Sequence, residues 1–293
     1  MNEARPEPWS RVLWKTQPFS DNHIPPKLFL VSLQRNPNLE PYSYWRLVHA
    51  SCAVTQHLST IYFFLAVFIR LKENQLDPRT LVYISVGCFL AGYFTWNVLD
   101  SAEPSSERNA NHLKALKSSI MMFLALMSLS PVLRTLSAAT SSDSIWALAA
   151  ILFILNALLA NYTASKSGGQ IRDRLTSVLS MNAAVSASVV LASRLCTDVA
   201  VFALALFSVQ AFALFPMLRQ RLQTSLVAVW LFLTMFMAAS AVYLLASLSQ
   251  IVMWLGLFML FFITLIAPII LIWAQRYKNI IRGPWDVAVP KVN

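Results

Sequence analysis

A chain of 293 residues with 57% hydrophobic and only 12% charged side chains has about half the charged share of a soluble domain. It lacks the polar groups needed to cover a water-facing surface, which excludes a soluble globular fold. The formal net charge of +10 is read loop by loop below, because its placement decides what it means.

Residues 1–46 are polar and contain no signal-peptide h-region, so the first apolar run is expected to act as an uncleaved anchor. Trp9, Val12, Leu13 and Trp14 form an apolar cluster beside Arg11 and Lys15, suited to the headgroup interface or to a partner protein. Gln17-Pro18-Phe19-Ser20-Asp21-Asn22 reads as a turn. Pro25-Pro26 opens a short helix carrying Leu28, Phe29, Val31 and Leu33. Pro37 and Pro41 end it before Tyr42, Tyr44 and Trp45, which mark the membrane boundary.

A bilayer core about 30 Å thick calls for about 20 mostly apolar helical residues. The runs Leu47–Ile69, Leu81–Leu99, Ser118–Leu136, Ile145–Leu159, Leu175–Leu195, Val199–Leu218, Leu226–Leu248 and Ile251–Trp273 fit that length, the third and fourth least well. They are expected to be helices, since backbone polar groups in lipid must be satisfied within the segment. The period-2 alternation of a membrane β-barrel is absent. Trp96, Trp146, Trp254 and Trp273 sit near span ends, as in an interfacial belt. Pro131, Pro216 and Pro268 are expected to kink or end the spans they occupy. Ala184, Ser188 and Ala192 place small residues on one face of the fifth span, a surface for close helix packing within the subunit or against another protein.

With about eight spans both tails share a side. That side collects 18 of the 23 Lys and Arg residues, leaving five on the other. The positive-inside rule puts both termini in the cytosol, and the basic excess reads as topology and attraction to anionic lipid, with no nucleic-acid partner. The expected architecture is therefore an all-α polytopic membrane protein. It comprises a cytosolic tail with interfacial segments (1–46), a transmembrane domain (47–273) and a cytosolic C-terminal tail (274–293).

The thirteen acidic residues all lie in tails, loops or at span ends, which argues against ion coupling through intramembrane carboxylates. Gln56, His57, Asn97, Asn156, Asn182 and Gln210 are the polar residues within spans. They serve interhelical hydrogen bonding or line a substrate path. His57 has no carboxylate spaced to tune it as a base, and His23 and His112 accompany no metal cluster. Cys52, Cys88 and Cys196 are too scattered for a disulfide framework and read as buried free thiols. Gly168-Gly169 followed by Arg172 and Arg174 reads as a flexible loop more readily than as an anion site. No catalytic constellation, metal site or cofactor is expected.

Several strings go beyond generic hydrophobicity: W-S-R-V-L-W-K-T-Q-P-F-S-D-N (Trp9–Asn22), S-P-V-L-R-T-L (Ser130–Leu136), L-S-M-N-A-A-V-S-A-S-V-V-L-A-S-R-L (Leu179–Leu195), F-A-L-F-P-M-L (Phe212–Leu218) and G-P-W-D (Gly283–Asp286). In this order, around eight spans, the chain resembles the PIG-C subunits of the phosphatidylinositol N-acetylglucosaminyltransferase complex, from about Trp9 to Asp286. Asn161-Tyr162 stands where that family has Asp-Tyr, and the following loop is longer and more basic.

The resemblance implies a subunit of a complex in the endoplasmic reticulum membrane. That complex moves GlcNAc from UDP-GlcNAc to phosphatidylinositol, the first step of GPI-anchor synthesis. It further implies that catalysis belongs to the PIG-A subunit, and that this chain is a non-catalytic scaffold working with PIG-A, PIG-H, PIG-P and PIG-Q types. Candidate contacts for partners or lipid are Trp14, Pro18, Phe19 and Asp21 in the tail, and Asn182, Ala184, Ser188, Ala192 and Pro216 in the fifth and sixth spans. Trp285, in the C-tail, is either a headgroup anchor or a docking contact. The competing reading is a lipid transporter or scramblase.

Overall fold

The computed structural model describes residues 16–20, 23, 34–35, 40–99, 105–135, 141–162, 171–223, 227–278 and 281–282. Among them are eight helices: α1 Tyr44–Lys72, α2 Pro78–Leu99, α3 Ser105–Thr135, α4 Ser142–Leu159, α5 Ile171–Ala192, α6 Asp198–Gln223, α7 Val227–Ala246 and α8 Gln250–Gln275. Each apolar run of the sequence falls largely on one of them. Seven are long and apolar enough to cross a membrane; the apolar stretch of α5, Ser177–Ala192, is shorter.

The chain forms two compact units, Met1–Ser43 with Ile270–Asn293, and Tyr44–Ile269. In the first, two-residue strands β1 (Gln34–Arg35) and β2 (Ile281–Arg282) pair antiparallel. Gln275 accepts from the Tyr42 amide at 2.9 Å and donates to the Glu40 carbonyl at 2.7 Å. The expected turn is present where it is described: the His23 amide donates to Ser20 O at 2.8 Å, and the Phe19 and His23 rings stack at 4.5 Å. The short helix expected after Pro25-Pro26 lies outside the described residues.

In the second unit α1 and α6 are the hub. The most apolar windows of these two helices are 61% buried, against 11–22% in α2, α3, α4, α7 and α8. The helices α4 and α5 pair with each other, α7 packs on α1, and α2 and α3 both pack on α6. Apolar side chains gain little from association in lipid, so close van der Waals contact has to hold helices together. The core is accordingly rich in small residues, Ala184, Ala187 and Ala192 on α5 and Ala200, Ala203 and Ala205 on α6. Phe64 fills the space where α1, α4 and α6 meet, 5.4 to 6.2 Å from the rings of Phe153, Phe207 and Phe212.

Helix ends follow local chemistry. Asn74 adopts the left-handed φ of 57° that closes the C-terminus of α1, a conformation asparagine tolerates better than most residues. Asp77 accepts from the Arg79 amide at 3.0 Å at the start of α2, with Pro78 in the first turn, where a missing N–H costs no bond. Thr197 caps α6 by accepting from the Ala200 amide at 3.2 Å.

None of the three span prolines ends its helix. α3 continues past Pro131 to Thr135. Pro216 and Pro268 each follow a π-helical turn, Gln210–Leu214 and Phe262–Ile266, in which the Phe215 and Ala267 amides reach five residues back to Gln210 O and Phe262 O. A proline ring clashes with the carbonyl four residues earlier. Widening the preceding turn relieves that clash within the helix, as single-turn π-bulges do.

Candidate functional site: a buried polar cluster around Arg219

The first half of α1 is unusually polar for a span. Thr55, Gln56, His57, Ser59 and Thr60 are all buried, so this helix cannot face lipid there and must be enclosed by neighbours. Ser59 and Thr60 donate back to the carbonyls of Thr55 and Gln56 at 2.8 Å. The others reach across. Gln56 Nε2 donates to Thr234 Oγ1 of α7 at 2.8 Å, and the Thr55 and Thr264 hydroxyls meet at 2.7 Å beside the α8 bulge.

His57 meets α4 and α5 through Asn156. Asn156 Nδ2 donates to Ser180 O and Oγ, both at 2.9 Å, and Ser180 Oγ donates to Asn156 O at 2.8 Å. A carbonyl only accepts, so the Ser180 O contact fixes which end of the Asn156 amide faces it. Asn156 Oδ1 then faces His57 Nε2 at 2.8 Å, which makes that ring nitrogen the donor.

One turn nearer the start of α1 sits Arg219, 2% exposed. It projects from the last turns of α6. Its Nη1 donates to Ala53 O at 3.1 Å, its Nη2 to Asn161 O at 3.4 Å, and its guanidinium lies 5.6 Å from the Tyr162 ring centroid. No carboxylate among the described residues pairs with it. Tyr162 donates to Ala157 O at 2.5 Å and stands edge-on to His57, ring centroids 5.7 Å apart. Burial pushes the Tyr162 phenol up to about 12, with the Arg219 charge acting in the opposite direction, so the hydroxyl stays protonated and donating at neutral pH. Cys52, Ala53 and Trp230 pack beside Tyr162 and Leu222.

This arrangement is a brace. Arg219, Tyr162, His57 and Asn156 connect α1, α4, α5 and α6 through bonds inside the protein. By position in the sequence Arg219 counts among the loop charges; the structure corrects this by placing its head inside the bundle. The signal was its spacing from Phe212 and Phe215, which continues an inward face of α6. The interhelical role expected of Gln56, His57 and Asn156 is found, and Gln210 likewise donates to Ser85 O of α2 at 2.7 Å.

The other predicted residues fall elsewhere. Ala184, Ser188 and Ala192 are buried within the chain, at 0–1% exposure, so the small-residue face packs inside the subunit. Asn182 is exposed, and Pro216 is half-buried just beyond its π-turn. In the tail unit Pro18 is exposed and Phe19 half-buried. Trp14, Asp21 and Trp285 lie outside the described residues. The three cysteines are free, but only Cys52 is buried; Cys88, on the outer face of α2, and Cys196, in the α5–α6 turn, are exposed. A thiol is a small hydrophobe that an outward helix face tolerates. Among the described residues no His, Cys, Asp and Glu group is arranged to hold a metal.

Residues 9–286 match the model of a family described as phosphatidylinositol N-acetylglucosaminyltransferase, GPI2. The Schizosaccharomyces pombe GPI2 subunit of that enzyme is 38% identical over 98% of this chain and 88% of its own. The corresponding human subunit is 32% identical over 96% and 92%, and a putative one from Dictyostelium discoideum is 34% identical over 96% and 79%. No solved structure matches. Spanning nearly the whole chain, these likenesses show that it belongs to the GPI2, or PIG-C, family of phosphatidylinositol N-acetylglucosaminyltransferase subunits.

Proposed function

We propose that the chain is a non-catalytic membrane subunit of the complex that transfers GlcNAc from UDP-GlcNAc to phosphatidylinositol at the cytosolic face of the endoplasmic reticulum. The observation that carries this reading is the end-to-end likeness to proteins named as subunits of that transferase. PIG-A, PIG-H, PIG-P and PIG-Q types are the proposed partners. The cluster around Arg219 supports a scaffolding role: its ring nitrogen, phenol and guanidinium are bonded inside the bundle rather than presented to a substrate.

The proposed topology has eight crossings with both ends cytosolic, dividing the chain into a tail (1–46), a membrane domain (47–273) and a C-terminal tail (274–293). The pairing of β1 with β2, which joins the two tails, supports an even number of crossings. Holding an acceptor lipid in place supplies several kcal/mol of a transfer barrier through orientation. A body braced at its cytosolic end gives a catalytic partner a fixed surface to work against. Asn182, Pro216, Pro18 and Phe19 are proposed as contacts for partners or lipid, together with Trp14, Asp21 and Trp285 of the tails.

The test is affinity purification of the tagged chain from native membranes, with its companions identified and GlcNAc transfer assayed. Recovery of a glycosyltransferase subunit with activity is expected. A chain recovered alone that moves labelled phosphatidylinositol across vesicles would instead make it a lipid transporter.

A further inference from the structure

We propose that a lateral groove between α2, α3 and α6 binds one phospholipid, its acyl chain in the groove and its anionic headgroup at Arg79. The groove lies at the end of the bundle carrying the α1–α2 and α5–α6 turns, away from the Arg219 cluster. It does not depend on the transferase assignment.

The groove follows from the packing. α3 is tied to α6 by Ser130, whose hydroxyl donates to Asp198 O at 2.9 Å, and by the Phe123 and Phe202 rings at 4.9 Å. α2 is tied to α6 farther along, where Gln210 reaches Ser85 O. The cleft left between them has a volume of about 400 Å³. Arg79 and Tyr83 form one wall, Phe123 and Met127 the other, and Val199 and Phe202 the floor. From Phe123 to Pro131 the groove runs about 12 Å along α3 at the helical rise. That is close to the hydrocarbon depth of one leaflet, about half of a 30 Å core.

Its size selects the occupant. A helix about 10 Å across fills about 420 Å³ in a single turn, so a partner's spanning helix lies over the groove rather than within it. A flexible acyl chain fits. The charges at the mouth select the headgroup. Asp198 is paired with Arg134 at 3.1 Å, and Asp77 accepts from the backbone amide of Arg79 at 3.0 Å. Arg79 has no ion-pair partner among the described residues. Its cation stands at the headgroup level above an apolar slot, the complement of a phosphate joined to a hydrocarbon tail.

The experiment is native mass spectrometry of the purified full-length chain titrated with dioleoyl phosphatidylserine or dioleoyl phosphatidylcholine. One retained lipid per chain is expected, with phosphatidylserine preferred. Arg79→Gln is expected to lower that preference about fivefold, the usual weight of one cation near anionic lipid. Val199→Trp, which fills the floor, is expected to lower retention of both lipids. Met127→Trp blocks the groove from its other wall and replaces Val199→Trp if that variant melts earlier than the parent. Retention unchanged by the groove-filling variant, or a preference unchanged by Arg79→Gln, overturns the proposal. So does a photo-crosslinker at Met127 that captures a protein in native membranes.

Discussion

Arg219 offers a comparison in which the chemically conservative replacement is the worse one. The residue is 2% exposed, and its guanidinium is bonded to Ala53 O and Asn161 O on separate elements and lacks a carboxylate partner among the described residues. Each bond from a charged donor is worth about 1.5–3 kcal/mol, so the pair contributes about 3–6 kcal/mol. Against this stands the desolvation of a buried charge, still several kcal/mol after relaxation. Arg219→Met removes both terms, and the expected net loss is about 0–2 kcal/mol. Arg219→Lys keeps the charge buried, loses the fork that reaches two carbonyls, and places a more strongly hydrated ammonium inside. Its expected loss is about 2–4 kcal/mol. Thermal melting of the purified full chain in one detergent measures the order. Lysine melting at or above methionine would mean that positive charge alone suffices at this position and that the two-pronged bonding contributes nothing.

Three further outcomes follow from the same packing. Asn156→Leu leaves the His57 Nε2 donor without a partner and removes the amide that donates to Ser180 O and Oγ, while Ser180 Oγ keeps its bond to the backbone carbonyl of residue 156; it is expected to cost about 1–3 kcal/mol. Adding His57→Phe should recover part of that loss in a double-mutant cycle. Ser188→Leu inserts methylenes at a position 1% exposed and is expected to lower stability by about 1–3 kcal/mol; normal melting with lost complex assembly would instead assign Ser188 to a partner contact. Tyr162 has its folded pKa raised to about 12 by burial, opposed by the Arg219 charge, above the ordinary phenol value of about 10. The unfolded state therefore loses that proton first. The protonated phenol's contribution is full below pH about 10 and is lost as pH rises toward 12. Tyr162→Phe should flatten that part of the pH–melting profile.

The helical frame was legible because lipid leaves few backbone solutions: the apolar runs became helices, and Gln56, His57 and Asn156 found interhelical partners. Four features were not. The burial of Arg219 depends on the backbone carbonyls of Ala53 and Asn161, which accept its hydrogen bonds from distant elements, and a carbonyl leaves no mark in side-chain sequence. The prolines at 216 and 268 announced a disturbance, but whether a helix breaks or widens by one residue depends on its neighbours. Thr264 bonded to Thr55 and Gln210 bonded to Ser85 hold both widened segments in register. The pairing of Gln34–Arg35 with Ile281–Arg282 joins opposite ends of the chain, where no turn signal could point to it. Pattern alone also could not separate a small-residue face used inside the subunit from one used outside it. The burial of Ala184, Ser188 and Ala192 supplies that answer.

The claim that this chain serves the transfer without performing it is tested most directly by turnover of UDP-GlcNAc and phosphatidylinositol. The assay compares the purified chain, the partner subunits without it, and the two recombined. Transfer is expected only in the recombined sample. Sustained product formation by the purified chain alone would contradict it.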